Sequence, residues 1–110
     1  MKDRDVGGVT VVDLEGRIVL GEGCNSFREK LKGLLAAGKM KIVLSLQDLS
    51  YIDSAGLGTL VAILHSAQSL GAMLKLANLA NTTKEILEKA NLTKVFDIYD
   101  SEAHAVSSFN

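Results

Sequence analysis

The apolar positions of this chain change period several times, and each change marks a different element. Residues 42–46, Ile-Val-Leu-Ser-Leu, are partly β-branched and nearly continuous, the pattern of a strand buried on both faces. From Leu57 the period becomes helical: Leu57, Leu60, Val61, Leu64 and Gln68 fall on one face, which is predicted to lie against a sheet. The opposite stripe, Thr59, Ile63, Ser66 and Leu70 with Ala62 beside it, carries no charge. Such a stripe is either covered by a neighbouring helix or offered to a partner. This second helix is expected to end near Gly71.

The remaining elements follow the same logic. Residues 9–14 and 17–20 read as strands, and Gly16 between them permits a tight turn, so an antiparallel pair is expected. Residues 25–37 form an amphipathic helix with Phe27, Leu31, Leu34 and Leu35 as its stripe. Ser26 and Glu29 fit a capping box there, and Gly38 fits the left-handed residue after the last turn. Residues 73–77 are a further strand. Thr82 and Glu85 suggest a second capping box, opening a helix with Ile86, Leu87 and Ala90 inward and Asn91 as its stop. Residues 95–99 are a last strand, and Asp100 or Ser101 caps a terminal helix carrying Ala105, Val106 and Phe109. Strands alternating with helices argue for an α/β fold, one domain over residues 1–110. Its central sheet is mixed but mostly parallel, of about five strands with about four helices.

The junction Asp53-Ser54-Ala55-Gly56-Leu57-Gly58 joins the buried strand to the second helix. A serine there is placed to be the N-cap, its hydroxyl accepting a hydrogen bond from a free backbone N–H. It also sits where helix-terminal N–H groups favour an anion. The two glycines cost the helix about 1 kcal/mol each relative to alanine, so bare backbone is needed for close approach by another molecule or another element.

These residues carry a resemblance. Residues 49–58, Leu-Ser-Tyr-Ile-Asp-Ser-Ala-Gly-Leu-Gly, are similar to the signature of the STAS domain of bacterial anti-sigma factor antagonists, and the order of elements matches over essentially the whole chain. The resemblance implies a non-enzymatic protein whose unphosphorylated form binds an anti-sigma factor serine kinase and so frees a sigma factor. It implies that this kinase phosphorylates Ser54 and that a serine phosphatase reverses the step. Partner contact is then expected at Asp53, Ser54, Ala55, Gly56 and Gly58, with Leu57 anchoring the helix inward. Two positions depart from the pattern: Ala55 leaves a single hydroxyl in the motif, and Val19 occupies a place that is often acidic. The rival reading is a STAS subunit that is a constitutive structural or regulatory partner of a membrane transporter's ATPase.

Composition narrows the alternatives. The 110 residues are 47% apolar, enough for one domain with a real core, and the net charge of −1 provides no basic footprint for nucleic acid. No signal peptide is expected, because the first residues lack an apolar segment. The uncharged run 54–74 is long enough to span a bilayer, but its middle, His65-Ser66-Ala67-Gln68-Ser69, is too polar for hydrocarbon. A cytoplasmic protein without membrane insertion is the simplest reading. The lone Cys24 excludes an internal disulfide and is expected to be buried near a helix start.

Catalytic chemistry finds little support. Ser54 would need a base within hydrogen-bond reach, yet His65 is about 16 Å further along the same helix. His104 belongs to no recognisable partner pattern. Gly56-Leu57-Gly58 lacks both the later glycine of a dinucleotide loop and the ending of a P-loop. Asp48 and Asp53 alone do not make a metal site. No catalytic residue, cofactor or metal is therefore expected.

Overall fold

The polar sequence Lys-Asp-Arg-Asp-Val at the start of the chain carries no strand signal, yet it forms the first strand. In the computed structural model, which describes residues 1–109, β1 (Lys2–Val6) pairs antiparallel with β2 (Val9–Ile18). The two-residue connection is Gly7-Gly8, both with positive φ (56° and 85°), as a type I′ hairpin demands. This corrects the expected pairing of residues 9–14 with 17–20. Gly16 (φ 73°) does not turn the chain but lies within β2, where the register to the next strand shifts. The alternating charges of β1 suit an exposed edge, and Arg4 pairs with both Asp13 and Glu102 there.

Beyond the hairpin come α1 (Glu22–Ala36), β3 (Lys41–Ile52), α2 (Ser54–Ser69), β4 (Met73–Ala77), α3 (Asn81–Lys89), β5 (Asp97–Tyr99) and α4 (Glu102–Ser107). The sheet order is β1-β2-β3-β4-β5, with every pair after the first parallel. The expected mixed, mostly parallel sheet with four helices is therefore present. Asn110, the last residue of the expected domain, lies outside the described residues.

Each crossover steps the same way across the sheet, so right-handed connections put α1, α2 and α3 on one face. Phe27, Leu31 and Leu34 of α1, Leu60, Ile63 and Leu64 of α2 and Leu87 of α3 share one core with Leu44, Leu46 and Leu76 of the strands. The short α4 covers the other face, where Ala105 meets Val9, Val11, Val43 and Ala77. Lys75 is buried beneath it, its ammonium 2.7 Å from Ser108 Oγ and 4.2 Å from the Phe109 ring.

Several local expectations need correction. α1 starts at Glu22, without a side-chain cap, so Ser26 and Glu29 lie inside it. Cys24 is buried in its first turn, and Gly38 adopts the expected positive φ. The Thr82–Glu85 box does not form; α3 buries Thr83 and Leu87 and leaves Ala90 exposed. β5 is only three residues long, while Phe96 before it is buried in the core. Ser101 does cap α4, its Oγ accepting the His104 N–H at 3.1 Å.

The face of α2 is also rotated from the one expected. Thr59 and Ile63 are buried, Leu57 and Val61 half-buried, and Gln68 exposed. As the middle helix of three, α2 must bury one side against the sheet and another against α1. Arg28, Leu31 and Leu35 of α1 accordingly line the same cleft as Ile63.

Candidate functional site

β3 outruns its neighbour: β4 pairs with it only as far as Ser45, while β2 stays paired to Ile52. Ser54 is thus delivered at the C-terminal end of a two-stranded extension, immediately before α2 begins. Such strand ends are where ligand and partner sites of parallel sheets gather.

The N-cap of α2 is Asp53, not Ser54. Asp53 is extended (φ −97°, ψ −176°), and its Oδ1 accepts the Gly56 N–H at 2.8 Å. Its Oδ2 accepts the N–H of Leu20 at 3.1 Å, across the sheet from the β2–α1 connection. Its own N–H donates to the Ile18 carbonyl at 3.4 Å. The hydrogen bond from Gly56, followed by that from Leu20, pulls the Asp53 carboxyl below its ordinary value of 3.8. An aspartate wins the cap over the adjacent serine because one carboxylate serves two backbone donors that a single hydroxyl could not span.

With the cap supplied by Asp53, Ser54 becomes the first helical residue, and it is exposed. Ala55 is half-buried, and its carbonyl accepts the Thr59 hydroxyl at 2.9 Å. The two glycines part company. A Cβ on Gly56 would stand 2.2 Å from the Ile18 carbonyl oxygen and 2.6 Å from Ile52 Cγ1, so the close approach there is made by the domain's own backbone. Gly56 is buried, and its missing side chain faces the Ile18 backbone and the Ile52 side chain. Gly58 is exposed with nothing within 4 Å of its missing Cβ, one turn along from Ser54 on the same side. Leu57 is only half-buried, packed at the margin of the core.

Sequence reasoning missed what surrounds this end of the sheet. Leu20 is 80% exposed and hangs from the connection that Asp53 holds. Tyr51 is exposed too, with the Arg17 guanidinium 5.6 Å from its ring centre. Gly21-Glu22-Gly23 was the available signal. Gly21 has φ 103°, and a Cβ on Gly23 would come within 2.9 Å of the Arg17 carbonyl oxygen, so both helices α1 and α2 start pressed against the end of β2. His65 and His104 are exposed on their own helices. Among the described residues no group of three His, Cys, Asp or Glu side chains could hold a metal, and no helix is long and apolar enough to cross a membrane.

The sequence profile of the STAS domain matches residues 2–105. The chain belongs to the STAS domain family. It is 36% identical over 72 residues to a homologue of a candidate anti-sigma factor antagonist in Thermotoga neapolitana, a match covering 66% of this chain and 64% of that one. It is 35% identical over 71 residues to the anti-sigma-B factor antagonist of Bacillus subtilis, covering 64% of each. These matches thus span 64% of the length of either curated relative. The crystal structure of a candidate anti-sigma factor antagonist from Thermotoga maritima superposes with a TM-score of 0.88 at 28% identity, covering 97% of this chain and 92% of that one. Within this STAS domain the signature occupies the junction just described, with Asp53 turned inward as cap and Ser54 turned outward.

Proposed function

We propose that this STAS domain is an anti-sigma factor antagonist switched by phosphorylation of Ser54. Its unphosphorylated form binds an anti-sigma factor serine kinase and so releases a sigma factor; the kinase inactivates it at Ser54, and a serine phosphatase restores it. The domain works as a binding element and not as an enzyme. The observation that carries the reading is the exposure of Ser54 on the first turn of a helix whose cap is already supplied by its neighbour. The hydroxyl is therefore not needed to hold the helix and is free to accept a phosphoryl group. The names of the relatives in Thermotoga neapolitana and Bacillus subtilis support the partner class.

A phosphate would bring about −1.5 to −2 charges to this point. The helix N-terminus offsets part of that, by about 0.3–1 kcal/mol. The offset is limited because the Asp53 carboxylate already occupies the Gly56 N–H and stands beside the added charge. The dianion would remain largely uncompensated on a surface that docks as a neutral hydroxyl, where burying it against a partner costs several kcal/mol. Ser54 and Gly58 form the partner contact in this reading, with Asp53 as the orienting neighbour and Ala55 at its edge.

The test is incubation with a purified anti-sigma factor serine kinase and ATP, followed by intact-mass measurement and an affinity measurement. One added phosphate is expected on the wild type and none on Ser54→Ala. Ser54→Ala keeps its affinity, and Ser54→Asp loses it. Equal affinity for Ser54→Ala and Ser54→Asp would sink the switch.

A further inference from the structure

Leu20 is the most exposed of the large apolar side chains, at 80%, and it lies on a connection that is unusually well tied. Its own N–H donates to Asp53 Oδ2 at 3.1 Å. On one side the Ile18 carbonyl accepts the Asp53 N–H at 3.4 Å; on the other the carbonyls of Val19 and Gly21 accept the N–H groups of Cys24 and Asn25 at 3.2 and 3.0 Å. The leucine is therefore presented by a fixed backbone, and its exposure does not come from fraying. A side chain presented in this way costs less ordering entropy when a partner covers it. Water-facing leucines are individually unremarkable. This one is set apart by a hydrogen bond to the residue immediately before Ser54.

We propose that Leu20 is an apolar anchor for the protein that docks on Ser54, and that Asp53 is the positioning residue that holds it in place. The inference rests on the reading of Ser54 as the switch, and its occupant is the same anti-sigma factor serine kinase. Continuity decides the occupant: a partner that covers Ser54 and Gly58 reaches the Leu20 connection next, since one carboxylate bridges the two. The surface so formed has an apolar projection at Leu20, a neutral hydroxyl at Ser54 and open backbone at Gly58. It fits a partner with an apolar pocket beside the groups that approach the serine. The two oxygens of Asp53 divide the work, Oδ1 fixing the start of α2 and Oδ2 fixing the anchor.

The experiment is a double-mutant cycle read as affinity for a purified anti-sigma factor serine kinase that binds the wild-type chain. Leu20→Ala is expected to weaken binding about ten-fold while leaving the thermal melt unchanged, because the side chain makes little contact within the domain. Asp53→Asn keeps one oxygen for the cap but can no longer accept from both N–H groups. It should weaken binding by a similar factor and speed hydrogen exchange at the Leu20 amide, which a purely capping role would not do. The double variant is expected to bind no worse than the weaker single one, since a misplaced anchor has little left to lose. Binding of Leu20→Ala within two-fold of wild type would overturn the anchor. Effects that multiply in the double variant, or unchanged Leu20 exchange in Asp53→Asn, would overturn the positioning role. Ser54→Asp run in parallel separates the two readings. If it fails to bind while Leu20→Ala binds normally, the anchor alone is wrong; if it binds normally while Leu20→Ala does not, the anchor stands and the switch is wrong.

Discussion

Replacing Gly56 by alanine tests the packing of the site most directly. The added methyl carbon would lie 2.2 Å from the Ile18 carbonyl oxygen, 2.6 Å from Ile52 Cγ1 and 3.2 Å from the Ile18 carbonyl carbon. Two of these three atoms are main chain, and Ile52 is only 3% exposed, so neither side can swing away as a flexible tip would. To reach an ordinary contact, the start of α2 must lift from β2 by about 1 Å. Overpacking of this kind costs about 1–3 kcal/mol and reaches the upper end where backbone must move. Helix propensity returns about 1 kcal/mol for glycine to alanine, which leaves a net loss of about 2 kcal/mol. For a domain of this size that lowers Tm by about 10 °C.

Urea denaturation is the appropriate assay, because a lower midpoint at constant m-value isolates stability from a change in the unfolded state. Gly58→Ala is the internal control. It has open space around the missing Cβ and is expected to gain up to about 1 kcal/mol from the same change in propensity. The two glycines lie two positions apart in one helix, and opposite signs are expected. A Gly56→Ala midpoint at or above wild type would refute the close contact with Ile18.

Ile63→Lys places a charge in the buried contact between α1 and α2 and is expected to lose on the order of 4 kcal/mol; a wild-type thermal melt would contradict the packing of that cleft. Ser54→Ala should change stability by less than about 0.5 kcal/mol, because Asp53 is the cap; a loss near 1 kcal/mol by urea denaturation would return the cap to the serine. The Asp53 carboxyl titrates below its ordinary 3.8, so its contribution is fully present above that pH and is lost as pH falls through the lower folded value. The Leu20 and Gly56 amide resonances should report this with a shared midpoint below 3.8, and a midpoint at or above 3.8 would contradict the two hydrogen bonds.

Much of the architecture was legible because it follows from periodicity. The run 42–46 is buried throughout, three of the four residues in the α1 stripe are buried with Leu35 at the margin, and residues 73–77 form the expected strand. What was missed depends on partners remote in sequence. β1 has no apolar pattern of its own and is a strand only because a Gly-Gly turn folds it onto β2. The buried side of α2 could not be read from α2 alone, because the direction to α1 is set by the order of the sheet. The cap is the sharpest case. Asp53 and Ser54 are both good capping residues in isolation, and the choice falls to the one whose second oxygen finds the N–H of Leu20, thirty-three positions earlier.

That choice has a mechanical consequence for the site. A single residue, Asp53, separates the end of β3 from the start of α2, so the junction has no slack. Helix α2 must begin over the neighbouring strand, and its first turn clears the Ile18 carbonyl only because Gly56 has no side chain. Along the motif the roles therefore alternate around the helix: Asp53 ties inward, Ser54 faces out, Gly56 packs in, and Gly58 faces out again. The inward residues fix the helix start at the backbone, through hydrogen bonds and contact that a change at Ser54 does not touch. A charge added to the outward hydroxyl meets a start already fixed by its own cap and its own glycine. Its effect falls on whatever approaches that surface, because the residues that hold the fold and the residues that would be read by a partner lie on opposite sides of one helical turn.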